Sequence, residues 1–393
     1  SILRQSRIRL SSDASDAAAL HVIAASSLVR GNAKRSLEVL QKSHHELSCD
    51  SVSNRLAGYA WLVSQDVARA RECFDHSVRL DPHQADCWNL LGQIAERDHD
   101  DENAMGYYER GILFDDGQHD SALALSKLQL RHRQIKEAIH TLRVCLLRDR
   151  RSPKLNLALA RLLERRIVIM GKRRRRRVQQ RLREEALQCY LTVNAVAPSS
   201  QSFVAQGRIQ QQMFDHEGAR KSFEKAVALD PESPQALSHL ASANVDFGDL
   251  DNAIAQFQRS IAIDSSRAET HFRYTRAKRF RANSDSDKYV GQLKKQLSLA
   301  DQSPHRVHYE SKTIHFNFAL AKVFDDTGDY DQAWKHYDRA NRIKAGHSQS
   351  QAKKTSMKVR PHQPFGVLVD ATMDFISRDF FERCRPIGNP SHL

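Results

Sequence analysis

The sequence predicts an all-α protein built from repeated two-helix elements, and three observations carry that prediction. Only 15 Gly and 10 Pro stand among 393 residues otherwise rich in Ala, Leu, Arg and Gln, a balance that favours helix over sheet. A small residue followed four positions later by a large one returns at a stride of 34 residues. With 40% hydrophobic and 27% charged residues the chain has the composition of a folded protein, yet it is too long for one compact core.

The stride begins at Ser36 and Leu40 and continues through Ala70 and Phe74, Ala104 and Tyr108, and Ala138 and Leu142. It resumes at Ala186 and Tyr190, then runs through Ala219 and Phe223 to Ala253 and Phe257, and a last repeat carries Ala333, Tyr337 and Ala340. The first half of each repeat has its own small residue: Gly58, Gly92 and Gly207, with Ser126, Ala160, Ala241 and Ala321 as equivalents. Pro82, Pro198 and Pro231 close repeats, where Pro stops the second helix and sets the turn to the next. Small residues belong where two helices cross closely, and the large residue four places on lies on the same helical face.

Two breaks interrupt the array. Between Ala138 and Ala186 the gap is 48, one stride plus 14, and the surplus holds the run Lys172, Arg173, Arg174, Arg175, Arg176 and Arg177 with Arg181 and Arg183. An overlong hairpin is expected there. Its arginines read either as a solvated turn or as a nuclear-localisation, RNA- or phosphate-binding patch, without interleaved aromatics to stack a base. The second break is 268–313, a degenerate repeat rich in Asn, Ser and Asp. The expected order is therefore a helix or tail at 1–16, an array at 17–267 with a basic insertion at about 167–183, the degenerate repeat, and a final repeat at 314–345. A polar linker at 346–364 and the start of a truncated C-terminal domain at 365–393 follow.

These residues resemble the tetratricopeptide repeat. Its pattern, W-x2-L-G-x2-Y, then A-x3-F, then P, is met by Trp88, Leu91, Gly92, Ala104 and Tyr108, with Ala95 in place of the Tyr and Gly111 in place of a usual Ala. The repeat at 200–233 matches best, and the resemblance spans roughly 17–345. It implies a right-handed superhelical solenoid of eight or nine hairpins whose first helices line a concave groove for a peptide or partner helix. The implied lining is Arg55 and Tyr59; Asp86, Asn89, Gln93 and Arg97; Lys127 and Arg131; Lys154, Arg161 and Arg165; and Arg208. With a formal charge of +14, the expected partner is a protein or acidic peptide held mainly by Lys127, Arg131, Arg161 and Arg165, nucleic acid at 172–183 being the alternative.

A second resemblance covers about 268–393. There the degenerate repeat, the final repeat and "MDFISRDFFERCRPIGNPSHL" follow the order seen in tetratricopeptide-linked sulfotransferases that use a phosphosulfate donor. Their Gly-rich phosphate loop is missing from the sequence, which stops at Leu393, so no catalytic residue carries over. The alternative to a binding scaffold is thus the front part of such an enzyme, and Ser1 in place of Met fits a fragment. No P-loop, GxGxxG, GxSxG or HExxH motif occurs, and no cofactor or metal is expected. The scattered cysteines form no CxxC pair and suit reduced thiols in the cytoplasm. The tryptophans Trp61, Trp88 and Trp334 are expected to pack, and acidic pairs such as Asp100-Asp101, Asp115-Asp116 and Asp325-Asp326 to be solvated turn carboxylates.

Overall fold

The computed structural model describes residues 5, 17–41, 50–114, 119–171, 176–302 and 306–354. Among them are eighteen α-helices and no strand. The segments 1–4 and 6–16, the sulfotransferase-like stretch 365–393, Lys172 to Arg175, His44, His45, Cys49, Cys384, Asp115 and Asp116 lie outside the described residues. The chain divides into two units, Ser1–Asp264 and Ser265–Leu393.

Seven antiparallel hairpins make the first unit. They are α1 (Ala17–Val29) with α2 (Ala33–Gln41), α3 (Ser51–Val63) with α4 (Val67–Leu80), α5 (Ala85–Arg97) with α6 (Asp101–Phe114), and α7 (Asp120–Arg131) with α8 (Ile135–Arg148). Then come α9 (Pro153–Met170) with α10 (Arg176–Val196), α11 (Ser200–Gln212) with α12 (His216–Leu229), and α13 (Pro234–Asp246) with α14 (Leu250–Ile263). Each second helix also packs on the next first helix, so the stack is continuous.

The small residues occupy one repeated, fully buried position. Ser36, Ala70, Ala104, Ala138, Ala186, Ala219 and Ala253 expose 0% of their surface, and Phe74, Tyr108, Leu142, Phe223 and Phe257, four places on, are equally buried. In three hairpins the large ring lies directly on the glycine of the first helix. A Cβ added to Gly58, Gly92 or Gly207 would fall 2.5 Å from the ring of Phe74, Tyr108 or Phe223. Ala24, fully buried one stride before Gly58, extends this row to α1. Gly111 likewise faces Ser121 of the next helix, where a Cβ would meet Oγ at 2.3 Å. Cys87, Cys145 and Cys189 are buried thiols outside any disulfide, and burial pushes Cys87 and Cys189 up to about 12.

The turn inside each hairpin repeats as well. Seven positions after the small residue of the first helix the backbone is left-handed: Gly31, Gln65, His99, Arg133, Phe214 and Gly248, with φ between 61° and 79°. The amide after it returns to a carbonyl five residues back, as in Asp66 to Trp61 (3.0 Å), Asp215 to Gln210 (2.9 Å) and Asp249 to Asn244 (2.9 Å), which closes the first helix with a Schellman motif. That same residue often caps the second helix: Asp66 accepts from the Arg69 amide at 3.1 Å, Asp100 from Asn103 at 3.2 Å and Asp215 from Gly218 at 2.9 Å. Asp100 is therefore a helix cap rather than a merely solvated turn residue.

The 14 surplus residues lengthen one hairpin. Helices α9 and α10 have 18 and 21 residues, where the other helices of this unit have 9 to 14. Gly171, with φ 67°, ends α9, and the buried Gln179 side chain donates back to its carbonyl.

In the second unit α15 (Ala268–Ala277) is short and α16 (Ser284–Asp301) follows a non-helical link. Both pack on α17 (Arg306–Thr327), which pairs with α18 (Tyr330–Lys354). Phe280 in the link stacks on Tyr289 with centroids 5.5 Å apart, and its amide donates to Asp326 at 3.2 Å. Three expectations are corrected here. Asp326 is no solvated turn carboxylate: its side chain is 8% exposed, paired with Lys322 and holding the link. Trp334 does not pack, being 56% exposed on α18. Helix α18 runs on to Lys354, so 346–354 is helical, where a linker was expected.

The turn position yields a test. A non-Gly residue in the left-handed region costs about 1 kcal/mol. Gly248→Ala should lower stability in urea denaturation by about that amount, while Gln65→Gly, relieved of strain but freer when unfolded, should change it by less than about 0.5 kcal/mol. An equal drop in stability for both substitutions would refute a shared left-handed turn.

Candidate functional site

The first helices approach one another directly, α1 with α3, α5 with α7, and α11 with α13. Their shared face is therefore the inner side of the stack and the place to look for a partner's contact. Ion pairs join successive first helices from α3 to α11. The Arg55 guanidinium lies 3.6 Å from Asp86, which also accepts from the Tyr59 hydroxyl at 2.9 Å. Arg131 reaches Glu96 at 2.7 Å and Asp101 at 3.5 Å. Lys154 stands 3.7 Å from Asp120, and Arg208 is 3.5 Å from Glu164. Asp86 and Asp120 sit in the first turns of α5 and α7, where the helix dipole favours a carboxylate.

These pairings neutralise part of the lining that the sequence reads as basic. At the α3–α7 end, Arg55, Tyr59, Asn89 and Gln93 line a cavity of about 500 Å³ together with Asp81, Asp86 and Asp120. Asn89 is buried and accepts from the Gln93 amide, which leaves it little reach toward a ligand. Arg131 is held by two carboxylates and so is separated from the other members of the expected cluster. Lys127, Arg161 and Arg165 remain exposed, with no ion pair among the described residues. Lys127 and Arg161 hold the same place one stride apart, just after Ser126 and Ala160, and Arg165 lies one turn further along α9.

Two of the core tyrosines tie the packing to this face. Tyr108 donates to Glu96 at 2.9 Å, and Glu96 also takes Arg131; Tyr190 donates to Glu164 at 2.5 Å, and Glu164 also takes Arg208. Burial first, and then the adjacent carboxylate, raises the Tyr108 and Tyr190 hydroxyls well above the usual phenol range.

Of the arginine run, Arg176, Arg177, Arg181 and Arg183 line a second cavity of about 780 Å³ with Gln212 and Phe214. The sequence did not single out Phe214. Its signal was positional: Phe stands at the turn position that Gly holds in α1/α2 and α13/α14. Among the described residues no group of three His, Cys, Asp or Glu side chains could hold a metal, and no helix is long and apolar enough to cross a membrane.

The tyrosines make stability fall at high pH. A phenol whose folded-state value is raised keeps its proton after the unfolded chain has lost it, so its contribution is complete below about pH 10 and is lost as the pH rises beyond that. Thermal unfolding followed across this range should show a steep alkaline decline that Tyr190→Phe makes shallower. An unchanged slope would contradict the buried Tyr190–Glu164 contact.

Parts of the chain are similar to known proteins. A family model described as tetratricopeptide repeat matches residues 56–120 and 204–268. None of the curated proteins matches. Among solved structures, a thermophilic tetratricopeptide-repeat protein of Thermus thermophilus is 19% identical, covering 49% of this chain and 98% of its own, with a TM-score of 0.35. PilF of Pseudomonas aeruginosa is 16% identical over 56% of this chain and 93% of its own, with a TM-score of 0.42. YrrB, described as a tetratricopeptide-repeat protein with an unusual peptide-binding site, is 16% identical over 50% and 95%, with a TM-score of 0.38. The described residues are all-α, and within them 56–120 and 204–268 match the tetratricopeptide-repeat family model.

Proposed function

We infer that the first unit is a scaffold that binds an extended acidic segment of another protein on its inner face, at Lys127, Arg161 and Arg165. The observation that carries this reading is the uneven neutralisation of one face. Arg55, Arg131, Lys154 and Arg208 are paired with carboxylates, whereas these three cations are exposed without an ion pair among the described residues. Neighbouring helix axes lie about 8–10 Å apart, and residues one turn apart about 6 Å. Side chains at alternate positions of an extended segment are about 6.6–6.8 Å apart, so two carboxylates spaced in that way suit Arg161 and Arg165. Lys127 then takes a third. The paired cations hold the scaffold in register and contribute less to a partner.

The enzyme reading, the front part of a sulfotransferase, rests on the order of segments between 268 and 393 alone, and no described side chain adds to it. The cytoplasmic assignment likewise rests on the sequence.

A labelled peptide of alternating Glu and Ser provides the test. Arg161→Glu combined with Arg165→Glu should weaken binding at least about tenfold at about 0.1 M salt, while Arg55→Glu should weaken it by less than about threefold. Equal binding by wild type and the Arg161/Arg165 variant would overturn the assignment.

A further inference from the structure

We propose that the cleft between α10 and the α11/α12 turn binds single-stranded nucleic acid. The overlong hairpin creates this cleft. Because α10 extends past the end of its neighbour α11, its N-terminal turns overhang the loop that joins α11 to α12. Arg183 joins the two walls, its Nε donating to the Gln212 side-chain oxygen at 3.4 Å. Beyond that point the overhang and the loop leave an open cleft of about 780 Å³.

The lining has one chemical character. Arg176, Arg177, Arg181 and Arg183 face the cleft, and none forms an ion pair with a described residue. The single acid, Glu184, accepts from the Gln180 amide at 3.1 Å. This distinguishes the cleft from the inner face, where Arg55, Arg131, Lys154 and Arg208 are each paired with a carboxylate of an adjacent repeat. Arg177 and Arg181 are one turn apart, about 6 Å along the helix, and so can hold neighbouring phosphates.

The opposite wall supplies the second requirement. Phe214 is 83% exposed at the tip of the α11/α12 turn, in the left-handed conformation with φ 64°. A large apolar ring gains nothing from that exposure, and Gly fills the equivalent place at Gly31 and Gly248. Its ring is presented to the cleft without a covering side chain. A cationic track beside an exposed aromatic platform is how single strands are held without reading their sequence: arginines take phosphates and the ring stacks a base. An acidic peptide would use the arginines and leave the ring idle, which is why nucleic acid is the favoured occupant. The site stands apart from Lys127, Arg161 and Arg165 and does not depend on their role.

The test uses the full chain and a fluorescent oligouridylate of about 12 nucleotides, with oligoglutamate of equal charge as competitor. Anisotropy titrations between about 50 and 200 mM salt give affinity and its salt slope. Arg177→Gln with Arg181→Gln should reduce the magnitude of the slope by about 1.4, since each phosphate no longer neutralised removes about 0.7. Phe214→Ala should weaken binding roughly 5- to 150-fold with the slope unchanged, and Phe214→Tyr should restore it. Wild-type binding that Phe214→Ala leaves intact, equal competition by oligoglutamate, or no binding at the lowest salt would each overturn the proposal.

Discussion

The contact between a large side chain on the second helix and a small residue on the first is what the first unit depends on. Where that small residue is Gly58, Gly92 or Gly207, there is no room between the backbone and the ring of Phe74, Tyr108 or Phe223 even for a methyl group. The ring sets how closely the two helices approach, and the alanine one turn before it keeps the adjoining crossing equally tight. Each such aromatic removes an apolar side chain from water, a gain of about 1.5–3 kcal/mol, but a hairpin alone cannot cover both of its faces. Stacking the next hairpin covers the remainder, so the same contact that closes one repeat prepares the surface for its neighbour.

Outside that contact and the repeated turn, the hairpins differ from one another. The insertion between α9 and α10 leaves Ala160, Ala186 and Tyr190 buried as in the other repeats, and among the described residues it adds helical turns farther out. Those turns create the arginine-lined cleft. On the inner face the residues after the small position also vary, from Tyr59 and Gln93 to Lys127, Arg161 and Arg208, while the scaffold beneath is constant. Glu96 and Glu164 join the two layers, each accepting from a core tyrosine and from an arginine of the next first helix.

The repeat was legible because its stride is fixed and because close packing tolerates so few residue types at the crossing. The left-handed turn was hidden wherever Gln65, His99, Arg133 or Phe214 stands in place of Gly. The groove was half legible. Its cations lie on first helices as the repeat implies, but their carboxylate partners stand on the neighbouring repeat, Asp86 being 31 residues from Arg55 and Glu164 44 from Arg208, and a single cation in a sequence carries no mark of such a partner. Phe214 is likewise distant in sequence from Arg177 and meets it only through the lengthened hairpin. In the second unit the stride breaks down, and with it the basis for placing side chains: Asp326 proved buried, paired with Lys322 and accepting from the Phe280 amide, and Trp334, beside the buried Ala333, proved exposed.

A double-mutant cycle between Gly207 and Phe223, read by urea denaturation, tests the central packing most directly. With Phe223 present, Gly207→Ala should destabilise the protein by about 1–3 kcal/mol through overpacking. With Phe223→Ala already made, the same substitution should become neutral or stabilise by up to about 1 kcal/mol, since Ala is the better helix former once the ring is gone. An identical destabilisation in both backgrounds would show that the ring does not set the spacing of the helices and would contradict the account.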